Sequence, residues 1–202
     1  ELAVVPDEID LAEAATLPVA GVTALRALRR SSALMGRRVL VTGASGGVGR
    51  FGVQLAALGG AHVIASVGST ARGEGLWELG AAEVVIGLEG VTTPIDVMLD
   101  NVGGSQLVAA WGLLGEGGVV QCIGTTSQEP ASFTSLVGMR RRIEAFTKGP
   151  HSGEDLEYLL ELMQQGKLRV DVGWRGSWSR IEEAADALFG RQVAGKAVLD
   201  ID

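Results

Sequence analysis

The residues whose types and spacing most clearly indicate a chemical role lie in a glycine-rich segment, 39–49, with the sequence VLVTGASGGVG. Ala44 permits a tight turn after an apolar strand, Gly46 lets the backbone approach a pyrophosphate, and Gly49 lets the next helix pack closely on the strand. The N-terminus of that helix presents unpaired N–H groups and a partial positive charge to an anion. The spacing predicts a dinucleotide phosphate site formed by Ala44, Ser45, Gly46, Gly47, Val48 and Gly49.

The same letters also allow hydrolytic chemistry. Residues 43–47 match the G-x-S-x-G turn of serine hydrolases, with Ser45 as the nucleophile. Asp100, at a predicted strand end, and His151, in a loop, follow in the chain order that such enzymes use. A hydrolase turn normally comes after several strands, whereas this one follows the first strand. Its position favours the phosphate site, and a serine hydrolase stays an alternative.

The end of the second predicted strand bears on which cofactor would bind. Enzymes that choose NADH usually carry Asp or Glu there, which binds the ribose 2′-hydroxyl. This chain instead has Gly68, Ser69 and Thr70, with Arg72 close behind. Small residues leave room for a 2′-phosphate, the hydroxyls can donate to it, and an arginine can bind it with two charge-assisted hydrogen bonds. The sequence therefore predicts NADPH.

The elements that must position these residues alternate between short apolar runs and longer helical patterns. Nearly continuous apolar strands suit a parallel sheet covered by helices on both faces. We therefore predict an α/β fold, a Rossmann-type doubly wound parallel sheet of six strands with flanking helices. The predicted strands are 38–42, 62–67, 83–86, 97–100, 119–123 and 142–147. The predicted helices are 10–15, 19–30, 48–58, 71–79, 106–114, 154–165 and 179–189.

Two segments depart from this alternation. Segment 87–95 contains two glycines and a proline and is too short for a crossover helix, so it predicts a loop. The terminal run 196–201 alternates like a strand but has no evident partner in the chain.

Composition narrows the class of protein. The chain has 202 residues, of which 47% are hydrophobic and 20% charged, and it can bury one good core. Its net charge of −7 disfavours nucleic acids and anionic membrane surfaces as partners. No stretch is expected to reach the ~20 apolar residues of a membrane span, and the first ten residues lack a basic signal start, so we predict a cytoplasmic location. One cysteine and two histidines predict no metal site: Cys122, His62 and His151.

Further short motifs along nearly the whole chain carry a family resemblance. Besides 41–49 they are AATLP at 14–18, Gly21 with Thr23, LGA at 79–81, Asp100 with Gly103 and Gly104, LL at 113–114, GG at 117–118, IG at 123–124 and GKAV at 195–198. With these motifs the chain resembles the zinc-independent quinone oxidoreductase branch of the medium-chain dehydrogenase/reductase superfamily. Zinc-dependent relatives place a ligand cysteine in the stretch matching 17–23, which contains none here.

The resemblance implies further cofactor contacts. Asn101, Val102, Gly124, Thr125 and Phe146 would approach the ribose and nicotinamide, and the predicted cofactor set also includes Thr23 and Thr147. Gly87 stands where many quinone reductases have a tyrosine near the adenosine. No residue is identified as catalytic, because the only tyrosine, Tyr158, falls on an amphipathic helix where packing is expected.

The expected reaction is hydride transfer from NADPH to a quinone or to the β-carbon of an enone. In the family an N-terminal catalytic domain precedes this segment. We therefore expect 1–37 to be a helical lead-in from that domain, 38–149 to be the dinucleotide-binding domain, and 150–202 to return toward the catalytic domain. The isolated chain is expected to bind the cofactor but to turn over poorly.

Some expectations concern the whole protein. A homodimer is predicted through strand 142–147, because the last strand of a sheet otherwise leaves an open edge. An enoyl reductase module cut from a larger synthase, and a protein in which the nucleotide only stabilises the fold, stay as alternatives.

Overall fold

A six-stranded parallel sheet forms the centre of the computed structural model, which describes residues 2–31, 33–91, 94–134 and 140–201. Its strands follow the spatial order β3-β2-β1-β4-β5-β6, and every neighbouring pair is parallel. They are β1 Arg38–Thr42, β2 His62–Val67, β3 Glu83–Ile86, β4 Ile95–Asp100, β5 Leu114–Cys122 and β6 Arg142–Ala145. This is the strand order of a doubly wound Rossmann sheet, as the sequence predicted.

Six α-helices occur among the described residues, and those that contact the main sheet lie on both of its faces. The six helices are α1 Leu11–Ala14, α2 Val22–Arg30, α3 Gly47–Leu58, α4 Gly104–Trp111, α5 Gly153–Gln164 and α6 Ile181–Phe189. Successive residues of β1 point into different apolar cores: Val39 and Val41 belong to the core that contains α2 and α3, and Leu40 to the core that contains Leu107 of α4. The two cores explain why the strands are nearly continuous apolar runs.

The predicted helix 19–30 is divided into a π-helical turn, Leu17–Gly21, and α2. Two other predicted helices also differ clearly from the structure. The predicted helix 71–79 is only a short 3-10 helix, Thr70–Gly73, followed by turns. Gly75 adopts a φ of +76°, a conformation that a continuing helix excludes. The predicted helix 106–114 ends at Trp111, because Gly112 follows it and β5 already begins at Leu114.

The C-terminal part of the chain contains a second, two-stranded sheet. β8 Lys196–Asp200 pairs in parallel with β7 Val172–Ser177. The expectation that the terminal run has no partner in the chain is therefore wrong, and β7 was not predicted. Its sequence, VGWRGS, contains two glycines, which are poor strand formers. A Cβ at Gly173 would lie 2.1 Å from the carbonyl oxygen of Ala194, so the two backbones approach too closely for any other residue.

The helical run Leu11–Arg30 has the length and hydropathy, 1.3, of a possible membrane span, which the sequence prediction had excluded. However, 67% of the 18-residue stretch that gives this hydropathy is buried inside the protein. Val22, Ala24 and Ala27 have no exposed surface. The run is thus accounted for as an interior helix whose apolar side chains pack in the main core.

Arg26 connects the N-terminal helices to the segment between β6 and α5. Arg26 of α2 forms a salt bridge with Asp155 of α5, and its guanidinium also donates to the carbonyl oxygens of Lys148, Pro150 and His151. The buried Asp155 also pairs with Arg29. This network anchors the connection from β6 to α5.

Candidate functional site

A cleft of about 450 Å³ opens at the carboxyl ends of β1, β2 and β4. The strand order reverses between β1 and β4, which is where open α/β sheets hold their ligands. Several predicted cofactor residues line it: Ser45, Gly46, Gly47, Val48, Gly49, Gly68, Arg72, Asn101, Val102 and Gly124. The other predicted residues do not belong to its lining: Thr23, Ala44, Ser69, Thr70, Thr125, Phe146 and Thr147.

The glycine loop makes the tight turn from β1 into α3. Gly43 adopts a φ of +60°, and the N–H of Gly46 donates to the carbonyl oxygen of Gly43 at 3.0 Å. A Cβ at Gly49 would lie 2.3 Å from that carbonyl oxygen and 2.6 Å from the Cα of Ala44. Only glycine therefore allows α3 to pack this closely on the loop. Ala44 is fully buried beneath it and supports the turn rather than facing the cleft.

Positive charge lies beside this loop. Arg72, on the 3-10 helix after β2, reaches back so that its Nη1 lies 3.5 Å from the Oγ of Ser45. Its second Nη donates to the carbonyl oxygen of Arg191, which also lines the cleft. Among the described lining residues none carries a carboxylate. The cleft therefore offers two guanidinium groups and the N-terminus of α3 to an anionic ligand.

A C-terminal segment closes one side of the cleft, and sequence reasoning missed it. Leu188, Arg191, Val193 and Gly195 all belong to the lining. The N–H of Gly195 donates to the carbonyl oxygen of Ser45 at 2.9 Å, and Arg191 donates to the carbonyl oxygen of Thr126 at 3.0 Å. The only available signal was the GKAV motif at 195–198, because neither periodicity nor charge links this distant segment to the loop.

The turn after β4 forms the opposite side of the cleft and is held by Asp100. Its fully buried carboxylate accepts hydrogen bonds from the Thr42 hydroxyl at 2.8 Å and from the Gly103 N–H at 3.0 Å. Burial raises the pKa of the Asp100 carboxyl, and these hydrogen bonds oppose that rise. The Asn101 amide donates to the Thr42 carbonyl oxygen at 2.8 Å. This network fixes Asn101 and Val102, which line the cleft.

These partners argue against the serine hydrolase alternative. In that alternative Asp100 would orient His151, but its carboxylate is occupied by Thr42 and the turn that follows β4. Ser45 is 3% exposed, and its hydroxyl lies near a guanidinium rather than a base. Among the described residues the hydroxyl of Ser45 makes its side-chain contact with Arg72, which cannot accept a proton, so the geometry favours an anion site over a nucleophile.

The single cysteine of the chain, Cys122, has a thiol of low expected reactivity. Cys122 ends β5, where burial raises the pKa of its thiol to about 11 and the negative charge of Asp100 contributes in the same direction. The thiol therefore stays protonated near neutral pH. This agrees with the sequence interpretation of a packed strand residue.

The strand order, the glycine loop and the position of the cleft are together those of a Rossmann-type α/β domain. A family model described as zinc-binding dehydrogenase matches residues 79–199, more than half of the chain. The chain belongs to this family, within the medium-chain dehydrogenase/reductase superfamily, and it corresponds to the cofactor-binding region of quinone oxidoreductase-like members.

Known relatives agree with this assignment. The chain is 33% identical to the chloroplastic quinone oxidoreductase QR1 of Triphysaria versicolor, over 96% of this chain and 64% of that protein. It is 30% identical to part of a highly reducing polyketide synthase of Arthrinium phaeospermum, over 96% of this chain and 9% of that protein. The chain thus spans less than two thirds of the length of the first of these relatives.

Solved structures share the fold. The quinone oxidoreductase of Thermus thermophilus, described also in complex with NADPH, has a TM-score of 0.86 and 30% identity, over 96% of this chain and 68% of that chain. The quinone oxidoreductase of Coxiella burnetii has a TM-score of 0.85 and 28% identity, over 98% of this chain and 63% of that chain.

No group of three or more His, Cys, Asp or Glu side chains that could hold a metal ion occurs in the described parts of the chain. A relative from Arthroderma benhamiae, 29% identical over 100% of this chain and 66% of that protein, is named a probable zinc-binding oxidoreductase.

Proposed function

We propose that this chain is the NADPH-binding part of a quinone or enone reductase, which transfers hydride from the nicotinamide to a small conjugated carbonyl substrate. The observation that carries the proposal is the position of Arg72, whose guanidinium lies beside the phosphate loop in a cleft without carboxylates among its described lining residues. A volume of about 450 Å³ lies within the range of small-molecule sites.

In this proposal each wall of the cleft has a separate task. The backbone N–H groups at the start of α3 bind the pyrophosphate, because a helix N-terminus stabilises an anion without a basic side chain. Arg72 and Arg191 bind the 2′-phosphate. The turn that Asp100 fixes positions Asn101 and Val102 on the opposite side, toward the ribose and nicotinamide. When bound, NADPH supplies the hydride, and these residues supply orientation.

We also propose that the reaction proceeds without zinc. The stretch 17–23, which resembles the metal-ligand region of zinc-dependent relatives, contains no cysteine. Cys122 is the only cysteine of the chain, so the chain alone cannot supply a zinc site with two or more cysteine ligands.

The whole protein is proposed to be larger than this chain, with 1–37 as the lead-in from a catalytic domain, 38–149 as the dinucleotide-binding domain and 150–202 as the return. β7 and β8 fit this division, because they form a sheet separate from the main one. The cytoplasmic location stays a prediction, since the Triphysaria versicolor relative is named as chloroplastic. The match to a small part of a polyketide synthase supports the synthase-module alternative.

A homodimer is proposed through strand 142–147. β6 is the last strand in the order of the main sheet, so its outer edge has no strand partner among the described residues. β6 ends at Ala145, and beyond it the N–H of Phe146 still donates to the carbonyl oxygen of Cys122 in β5 at 3.0 Å. A two-fold axis at this edge would join two sheets into one.

The proposed activity is tested by NADPH oxidation in the presence of a quinone or an enone. The protein that includes the family's N-terminal domain should oxidise NADPH with one of these acceptors, and a zinc chelator should leave the rate unchanged. The present chain should bind NADPH but oxidise it slowly. Absence of oxidation by the longer protein with every quinone and enone tried, or a rate that a chelator abolishes, would contradict the proposal.

A further inference from the structure

Three polar groups form a hydrogen-bonded chain in the cleft at the carboxyl ends of β2 and β3. The Nε2 of Gln106, in the first turn of α4, donates to the Oγ of Ser66 at 2.9 Å. The Oγ of Ser66 donates to the carbonyl oxygen of Gly87 at 2.6 Å. All three residues line the cleft, and Ser66 is fully buried. Sequence reasoning selected neither Ser66 nor Gln106 as a site residue.

This chain fixes which end of the Gln106 amide faces Ser66. The Gly87 carbonyl oxygen can only accept, so it takes the single hydroxyl proton of Ser66. The Ser66 oxygen must therefore accept from Gln106, and only the NH₂ end of the amide can donate. The amide oxygen of Gln106 consequently faces away from Ser66. None of the described residues donates a hydrogen bond to it.

The position of this acceptor matches one part of a dinucleotide. If Arg72, after β2, binds a phosphate on the ribose, the base attached to that ribose must lie against the same end of the sheet. Ser66 belongs to the end of β2, and Gly87 directly follows β3. A Cβ at Gly87 would meet nothing within 4 Å, so there is open space beside the chain.

We propose that Gln106 reads the base of the dinucleotide, an inference that rests on the cofactor site proposed above. Its amide oxygen accepts a hydrogen bond from the 6-amino group of adenine. Hypoxanthine carries a keto oxygen at the same position, so two acceptors, this oxygen and the Gln106 amide oxygen, would face each other. The Gln106 amide cannot turn to present its NH₂ group, because that group is held by Ser66. Gln106 is thus a specificity-determining residue, and Ser66 is the positioning residue that holds it.

The test compares NADPH with its hypoxanthine analogue, reduced nicotinamide hypoxanthine dinucleotide phosphate. Both are titrated into the 202-residue chain, and the fluorescence of the reduced nicotinamide reports binding. Wild-type protein should bind NADPH about tenfold more tightly than the analogue, the factor expected for one gained hydrogen bond against one unpaired acceptor. Gln106→Met should weaken NADPH binding and bring the two affinities within about twofold of each other.

Two further variants separate recognition from a general effect on the cleft. Ser66→Ala frees the Gln106 amide to turn its NH₂ toward the keto oxygen, so affinity for the analogue should rise. Gln164→Met, at an exposed position of α5 outside the cleft, is the matched control and should keep the wild-type preference.

The outcomes distinguish this inference from the proposed function. If wild-type protein binds NADPH and the analogue equally, or if Gln106→Met keeps the full preference, the base-reading role is overturned while the NADPH site stands. If neither dinucleotide binds, the proposed function fails and this inference fails with it.

Discussion

At the scale of single residues, the glycines of the cleft differ in what they must provide. Gly49 is surrounded by backbone atoms, whereas Gly68, in the same cleft, has nothing within 4 Å of the position of a Cβ. A backbone neighbour cannot move aside as the end of a flexible side chain can. The two positions therefore form a matched pair for substitution.

Gly49→Ala should destabilise the chain by about 2–3 kcal/mol, because the added methyl group would overlap the backbone of residues 43 and 44. Gly68→Ala should change the free energy of unfolding by less than about 0.5 kcal/mol. Urea denaturation followed by circular dichroism measures both. Similar stabilities for the two variants would show that α3 does not depend on the close approach at Gly49.

The hydroxyl of Ser45 provides a second test at this scale. Because Ser45 lies beside Arg72 and Asp100 is occupied by Thr42, a fluorophosphonate probe for activated serines should not label the chain. Mass spectrometry of the treated protein makes the measurement. Labelling at Ser45 that disappears in His151→Ala would instead establish the serine hydrolase.

At the scale of elements, β8 connects the C-terminal sheet to the start of α3. The side chain of Lys196 lies against Gly47, since a Cβ there would be 2.5 Å from the Lys196 Cδ. Burial lowers the pKa of the Lys196 amine, and no carboxylate pairs with it among the described residues. A charged amine in this position costs stability.

Lys196→Met should raise the Tm at pH 7 by ~2–4 °C, because it keeps the aliphatic contact and removes the buried charge. The sign follows from proton linkage. The folded-state pKa lies below the unfolded value, so the unfolded chain binds more protons and wild-type stability rises as the pH increases toward the ordinary lysine pKa of 10.5. The advantage of the variant should therefore shrink at alkaline pH. Calorimetry at neutral and alkaline pH measures it, and a pH-independent difference would contradict the role of charge.

The same scale shows what sequence patterns can predict. The six strands of the main sheet were predicted because most of them are nearly continuous apolar runs, and the predicted starts agree with the structure for β1, β2, β3 and β6. The helix expected at 71–79 failed because glycines interrupt its pattern. β7 was not predicted, because its glycines are explained by a close approach of two backbone segments that exists only in the folded chain.

The candidate site could be predicted only where its residues are close in sequence. The loop 43–49 and Arg72 follow from local spacing and chemistry. Arg191 and Gln106 carry no local signal, because their relation to the cleft depends on how distant segments meet.

At the scale of the whole molecule, the open edge of β6 predicts association. Light scattering at micromolar concentration should give a mass twice that of the chain, because pairing of two β6 edges would complete both sheets. Ile143→Pro, at the centre of β6, removes a backbone donor from that strand and should shift the protein toward monomer. A monomeric mass for the wild-type chain would contradict the proposed dimer.

The assignment of NADPH as the cofactor depends on the 2′-phosphate site at Arg72, which titration with NADPH and NADH tests most directly. We predict that the chain binds NADPH about tenfold or more tightly than NADH, because Arg72 can form two charge-assisted hydrogen bonds with the extra phosphate. Arg72→Ala should lose most of this preference. Arg37→Ala, an exposed arginine before β1 and outside the cleft, should keep it. Equal affinities in the wild-type chain, or an unchanged preference in Arg72→Ala, would show that Arg72 forms no 2′-phosphate site.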